Sequence, residues 1–270
     1  MKSLFTLSLT AGLLLAAGCA SKPEPEPIQP PRADLQLVWH DEFDGTQLDP
    51  AKWSRIPPDP KPEASAWRKY TSLRPDLVEV KEGELLLHGI ANDDREADPR
   101  PYLQGQVWTC GRFSFFYGLI EIRARFEDQQ GAWPAFWLLP DGLPWSEGGD
   151  IDIMEHLNSD PFVYQTCHCK WSLVLKKEQP PCGGKGDIIP GEYNIYRLEW
   201  TPDALIWSVN GKETFRYPRT GEAPEQWAFS QVPFSVLLDM QLDGDWSGPV
   251  DPSTLPVTAH VDYVRVWQRK

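Results

Sequence analysis

A dozen short apolar or alternating runs, each closed off by Gly, Pro, Asp or Asn, limit what this chain can fold into. They are Leu77 to Val80, Glu84 to Gly89, Gln104 to Trp108, Arg112 to Phe116, Gly118 to Phe126, Ala135 to Leu139, Asp150 to Glu155, Val163 to Trp171, Tyr193 to Trp200, Ala204 to Val209, Phe234 to Asp239 and Val261 to Trp267. Alternation with a period of two marks strands that bury one face, and helical periodicity is hard to find. The pattern predicts an antiparallel all-β sandwich or jelly roll rather than an α/β fold. Asn210-Gly211, between Ile206 to Val209 and Glu213 to Phe215, predicts a two-residue hairpin.

The first residues read differently. One Lys, an apolar run from Leu4 to Ala17, then Gly18 and Cys19 follow the order of a secretory signal. About 14 apolar residues are short of the roughly 20 that cross a bilayer, and Ala16-Ala17-Gly18-Cys19 resembles a bacterial lipobox, with Cys19 as the lipidated residue. Residues 1–18 are thus expected to be a signal, 19–34 a Pro-rich spacer holding the domain off the membrane, and 35–270 one large domain. Ser21 after Ala20 resembles the sorting signal of an outer-membrane lipoprotein. The expected location is outside the cell, anchored to the envelope.

With 39 acidic and 26 basic residues, the chain repels nucleic acid and strongly sulfated polymers. A neutral ligand fits better, and a monomer is expected. Thirteen Trp offer apolar ring faces for sugars as well as for the core. In an oxidising compartment Cys110, Cys167, Cys169 and Cys182 are expected to form disulfides. Cys167 and Cys169 share a face of a strand, so each would pair elsewhere, with Cys182 or Cys110 as candidates. A metal site at Cys167-His168-Cys169 is disfavoured, because on a strand the imidazole faces away from both sulfurs.

Gly149-Asp150-Ile151-Asp152-Ile153-Met154-Glu155 places three carboxylates among apolar residues. On a regular strand Asp150 and Asp152 share a face and Glu155 points away. A bulge at Ile153-Met154 would restore Glu155 to that face. Crowded carboxyls raise at least one pKa and give a proton donor beside an ionised neighbour, as glycoside hydrolysis requires. Taken alone, the three acids equally suit a calcium site or a solvated edge.

This segment, together with Gly131 to Pro140 (GAWPAFWLLP), Val38 to Gly45 (VWHDEFDG), Tyr117-Gly118 with Glu121 and Arg123, Tyr196 to Asp203 (YRLEWTPD) and Val261 to Trp267 (VDYVRVW), resembles glycoside hydrolase family 16, the laminarinase-like β-glucanases. The resemblance covers the whole domain after the spacer. It implies a concanavalin A-like β-jelly roll of two antiparallel sheets with an open cleft. It also implies endo-hydrolysis of a β-linked polysaccharide, β-1,3- or mixed-linkage glucan first and a galactan next, without a catalytic cofactor. The family strand reads Glu-Ile-Asp-Ile-Met-Glu, so the resemblance makes Asp152 the electrostatic helper and Glu155 the acid/base. Asp150 stands where the family has a Glu nucleophile. Its side chain is one methylene shorter, which leaves open slow retaining hydrolysis, inversion through a wider gap, or glycan binding without turnover; a transglycosylase is a further alternative.

The resemblance further places Trp133, Trp137 and Trp246 along the cleft and His168 facing the acids. Gln106 stands in Gln104-Gly105-Gln106, where laminarinases carry Ser-Gly-Arg beside the sugar subsites. Asp239 to Trp246 (DMQLDGDW) replaces an Asn-Leu-Ala-Val-Gly-Gly-like stretch. Glu42 and Asp262 match the region of a structural calcium in many relatives.

Overall fold

The computed structural model describes residues 28–61, 66–221 and 223–270; Cys19 and most of the Pro-rich spacer lie outside the described residues. Two antiparallel sheets face each other across one core, which is the jelly-roll sandwich expected. The first contains β1 (Leu35–Asp41), β3 (Val78–Lys81), β4 (Glu84–Ala91), β5 (Tyr102–Gln104), β7 (Gly118–Phe126), β12 (Asn194–Trp200), β13 (Ala204–Val209), β14 (Lys212–Pro218) and β16 (Val257–Arg269). The second runs β11 (Gly183–Asp187), β10 (Phe162–His168), β9 (Asp150–Glu155), β8 (Ala132–Pro140), β15 (Phe234–Leu242), β6 (Gln106–Trp108) and β2 (Ser54–Arg55).

Alternation builds the core. Ile120, Ile122 and Ala124 of β7 and Tyr196, Leu198 and Trp200 of β12 point inward from the first sheet. Phe136 and Leu138 of β8, Ile151 and Ile153 of β9, and Val236, Leu238 and Met240 of β15 meet them from the second. The intervening residues of the second sheet face outward and form the cleft described below. Asn210 (φ 50°) and Gly211 (φ 81°) close the β13–β14 hairpin, both in the left-handed region that a type I′ turn needs.

Three predicted runs change shape. Gln104 to Trp108 is two strands, because the chain passes from the first sheet to the second at Gly105. A Cβ on Gly105 would sit 1.9 Å from the Leu77 carbonyl oxygen, so no larger residue makes that crossing. Arg112 to Phe116 is a turn with a single bridge, Phe115 to Phe234; the amides of Arg112 and Phe113 both donate to the Thr109 carbonyl and hold the chain out of a strand. Val163 to Trp171 ends as a strand at His168 and continues as a helical turn, Lys170–Leu173.

The four cysteines are free thiols, so the expected disulfides are not formed. Cys167 and Cys169 are sealed in the core, Cys169 against the Tyr217 hydroxyl at 3.8 Å, while Cys110 is exposed. Cys182 lies beside Cys167, whose amide donates to the Cys182 carbonyl at 2.8 Å, yet the sulfurs remain unbonded. His168 points away from Cys167 and Cys169, as alternation requires.

Candidate active site

The outer face of the second sheet carries the site as cross-strand rows. His168 pairs with Asp150; Thr166, Asp152, Trp137 and Leu237 form the next row; Tyr164, Glu155, Ala135 and Asp239 form the third. Glu155 reaches this face only through a bulge. The neighbouring residues Phe136 and Trp137 of β8 pair with Met154 and Asp152 of β9, so Ile153 is the extra residue. Ile153 and Met154 both turn into the core while Asp150, Asp152 and Glu155 all face the cleft.

The cleft has a volume of about 470 Å³. Its lining includes the three carboxylates, His168, Gln241 and the indoles of Trp67, Trp133, Trp137 and Trp145. Each indole N–H near an acid is used. Trp133 Nε1 donates to Glu155 Oε1 at 3.0 Å, Trp137 Nε1 to Asp239 Oδ2 at 2.8 Å, and Trp145 Nε1 to Asp150 Oδ2. The other Asp150 oxygen, Oδ1, is buried and has no hydrogen-bond partner. His168 Nε2 stands 3.6 Å from Asp152 Oδ2. Among the described residues, Asp150, Asp152 and His168 form the one grouping of three or more side chains with metal-ligating atoms, all within 4.8 Å of one another.

Trp145 reaches Asp150 from α1 (Trp145–Gly148), a single helical turn between β8 and β9. The chain re-enters the sheet at Gly149 (φ 71°), where a Cβ would lie 2.0 Å from the His168 carbonyl oxygen. Only glycine makes this close, left-handed approach.

Burial controls the electrostatics. It raises Asp150, against the opposing pull of His168 and the Trp145 N–H, and it lifts Asp152 well above the carboxylate range with help from Glu155, Asp150 and Asp239. Burial also lifts Glu155 to about 8, opposed by the Trp133 hydrogen bond and aided by the charges of Asp150 and Asp239. A fourth acid, Asp239, rises to about 7 for the same reason. Burial therefore favours the protonated form of all these carboxyls, and Glu155, lifted to about 8, holds its proton at neutral pH.

The structure gathers Asp150, Asp152, Glu155, Trp133, Trp137 and His168 in one cleft, with Trp246 at its edge. The Trp246 ring stands edge-on to Trp133 at 5.3 Å and near Tyr164 at 4.6 Å, and it is 44% exposed. Gln106 is not available to a sugar. It is buried, accepts from Thr71 Oγ1 at 2.6 Å and donates to the Trp67 carbonyl, so it fixes the Trp67 loop instead. The side chains of Glu42 and Asp262, expected near a structural calcium, are taken up by arginines: Arg265 makes two hydrogen bonds to Glu42, at 2.9 and 2.6 Å, and Arg123 holds Asp262 at 2.5 Å. Both carboxylates are already neutralised.

Trp67 and Trp145 were not singled out from the sequence, and Asp239 and Gln241 entered only as part of the Asp239 to Trp246 stretch that the resemblance sets beside the sugar subsites. Trp67 and Trp145 sit in loops, where no alternation signals direction. Asp239 and Gln241 share the period of β15 with buried Leu237, and that period was the available signal.

A cleft across one sheet of a β-sandwich, floored by indoles and carrying paired carboxylates with a raised proton donor, is the site of a polysaccharide-cleaving enzyme. The family model for glycosyl hydrolases family 16 matches residues 100–265, and the chain belongs to that family. It is 33% identical to the beta-glucanase of Rhodothermus marinus over 252 residues, covering 86% of this chain and 85% of that one. It is 32% identical over 241 residues to the keratan-sulfate endo-1,4-beta-galactosidase of Sphingobacterium multivorum, spanning 87% of this chain but 56% of the relative. The crystal structure of the laminarinase from Rhodothermus marinus superposes with a TM-score of 0.78 at 33% identity, covering 87% of this chain and 98% of that one.

Proposed function

We propose that the chain is an endo-acting hydrolase of a neutral β-linked polysaccharide, β-1,3- or mixed-linkage glucan, that works by two displacements at the anomeric carbon. The observation that carries this is the pairing of a protonated Glu155 with an Asp150 oxygen left without a partner, both brought onto one face by the bulge. Glu155 gives its proton to the glycosidic oxygen as that bond breaks, while Asp150 Oδ1 forms an ester with the anomeric carbon. Water then attacks the same carbon, Glu155 takes its proton, and Asp150 leaves as a carboxylate. Asp152 lies between the two, with His168 Nε2 3.6 Å from its Oδ2. Trp145 holds Asp150 Oδ2, which leaves Oδ1 to react. Trp133 and Trp137 offer ring surface to the sugar.

The substrate follows from the lining. Four indoles face the cleft, where the CH face of a neutral sugar stacks on the rings, and the excess of 39 acidic over 26 basic residues in the chain repels a sulfated polymer. The beta-glucanase and laminarinase relatives support a glucan. The Lys-apolar-Ala-Ala-Gly-Cys19 order supports export and lipid anchoring through Cys19 to the cell envelope, with the Pro-rich residues as spacer and residues 35–270 acting as a monomeric domain.

The test is reducing-end release from laminarin, lichenan and agarose by the wild type, Glu155→Gln and Asp150→Glu, with the product anomer followed by NMR. Glucan cleavage with retention, lost in Glu155→Gln, is the expected result. Inversion, or a silent wild type beside an active Asp150→Glu, would sink the proposal.

A further inference from the structure

The cleft contains a second buried oxygen without a partner. Gln241 on β15 is 3% exposed and lines the cleft, and its Oε1 makes no hydrogen bond. Its other end is fixed: Nε2 donates to Asp239 Oδ1 at 2.9 Å. Asp239 Oδ2 is filled by the Trp137 indole N–H at 2.8 Å. When Asp239 is ionised it only accepts hydrogen bonds, and the Gln241 amide then turns its N–H toward Asp239, as observed, and leaves its carbonyl free. A buried carbonyl with no partner costs about 1–3 kcal/mol. A donor arriving with the ligand recovers that cost.

The position of Gln241 says which part of the ligand meets it. Gln241 pairs across the strands with Trp133, whose N–H is held by Glu155 Oε1. The sugar over Trp133 beside the acid/base therefore lies next to this oxygen. We infer that Gln241 is a specificity-determining residue: its Oε1 accepts a hydrogen bond from one hydroxyl of the sugar over Trp133, and Asp239 is the positioning residue that keeps the amide turned that way. The inference rests on the hydrolase reading above and deepens it. The Trp137–Asp239–Gln241 chain sets the hydrogen-bond polarity at this point of the cleft floor, so a sugar presenting a donor there is favoured over one presenting only an acceptor.

The test compares β-1,3-gluco-oligosaccharides with analogues in which single hydroxyls are replaced by fluorine, which cannot donate. In the wild type one analogue is expected to lose about ten- to hundredfold in kcat/KM. Gln241→Met should lose a similar factor on the unmodified oligosaccharide and show little further loss on that analogue. Asp239→Asn is the second variant. Its amide keeps an oxygen toward Trp137 and turns N–H toward Gln241, which then presents its own N–H to the cleft, so discrimination between hydroxyl and fluorine should again collapse. Thermal melts check that each variant is folded; if Gln241→Met is not, Asp239→Asn decides. Unchanged discrimination in the folded variants beside an active wild type overturns this inference alone. A wild type silent on every β-glucan overturns the functional reading and this inference with it.

Discussion

Replacing Glu155 by Gln should abolish turnover and stabilise the fold, the more so the higher the pH. Glu155 is 9% exposed, and burial lifts its carboxyl from 4.5 to about 8. A carboxyl raised on folding contributes its stability below its unfolded value, and that contribution drains away as pH rises through the folded one. At about 1.4 kcal/mol per pH unit, carrying the group from 4.5 to about 8 is worth at most about 5 kcal/mol. Asp150, Asp152 and Asp239 share the site and absorb part of this, so we expect the variant to be about 1–3 kcal/mol more stable at pH 8. The amide keeps an oxygen for the Trp133 N–H at the Oε1 position, so nothing comparable is lost. At pH 4 both side chains are neutral and the two proteins should melt together. Urea unfolding at pH 4, 6 and 8, beside reducing-end release, reads both effects. Parallel stability curves, or a variant less stable at pH 8, would refute the argument that burial of this carboxyl dominates.

Three further outcomes follow from single contacts. Trp145→Phe removes the N–H that lowers Asp150, so the acidic limb of the pH–rate profile should move to higher pH and activity on its acid side should fall; an unmoved limb would remove Trp145 from the mechanism. Gly149→Ala puts a Cβ 2.0 Å from the His168 carbonyl at a left-handed φ, and should cost more than about 3 kcal/mol, or about 10 °C in Tm by calorimetry. Glu121 on β7 accepts from the Tyr263 hydroxyl at 2.8 Å and from Arg197 on the face of the other sheet. Glu121→Ala should destabilise by about 3 kcal/mol in urea while kcat stays within about twofold, since it strands Arg197 without touching the cleft.

What the sequence disclosed follows from how side-chain direction is encoded. Within strands, period two fixes direction, so Asp150, Asp152, Trp133 and Trp137 were legible on one face. Glu155 was legible only with a bulge added, and the register of β8 against β9 contains that bulge at Ile153. Outside strands the code fails. Trp145 is aimed by one helical turn and a left-handed Gly149, neither of which leaves a periodic trace. Gln106 had the parity to face the cleft, but the Trp67 loop covers it, and coverage by a distant segment is invisible to alternation. The arginines that take up Glu42 and Asp262 come from β16 and β7, strands far from Glu42 in sequence.

Asp150 itself joins these two codes. A side chain one methylene shorter than Glu sits lower on the strand, and misplacement of about 1 Å can cost on the order of 100-fold in rate. In this chain the shorter acid comes with Trp145 directly on Oδ2 and with Gly149 drawing the α1 turn against His168. The indole then does more than lower a pKa, because it decides which oxygen remains to react. That ties the departure at Asp150 to the loop before it. Asp150→Glu alone would lengthen the side chain into a contact built for Asp, whereas Asp150→Glu with Trp145→Phe would relieve it, so the double variant should be more active than the product of the two single effects predicts. Strict additivity in kcat would separate the loop from the nucleophile.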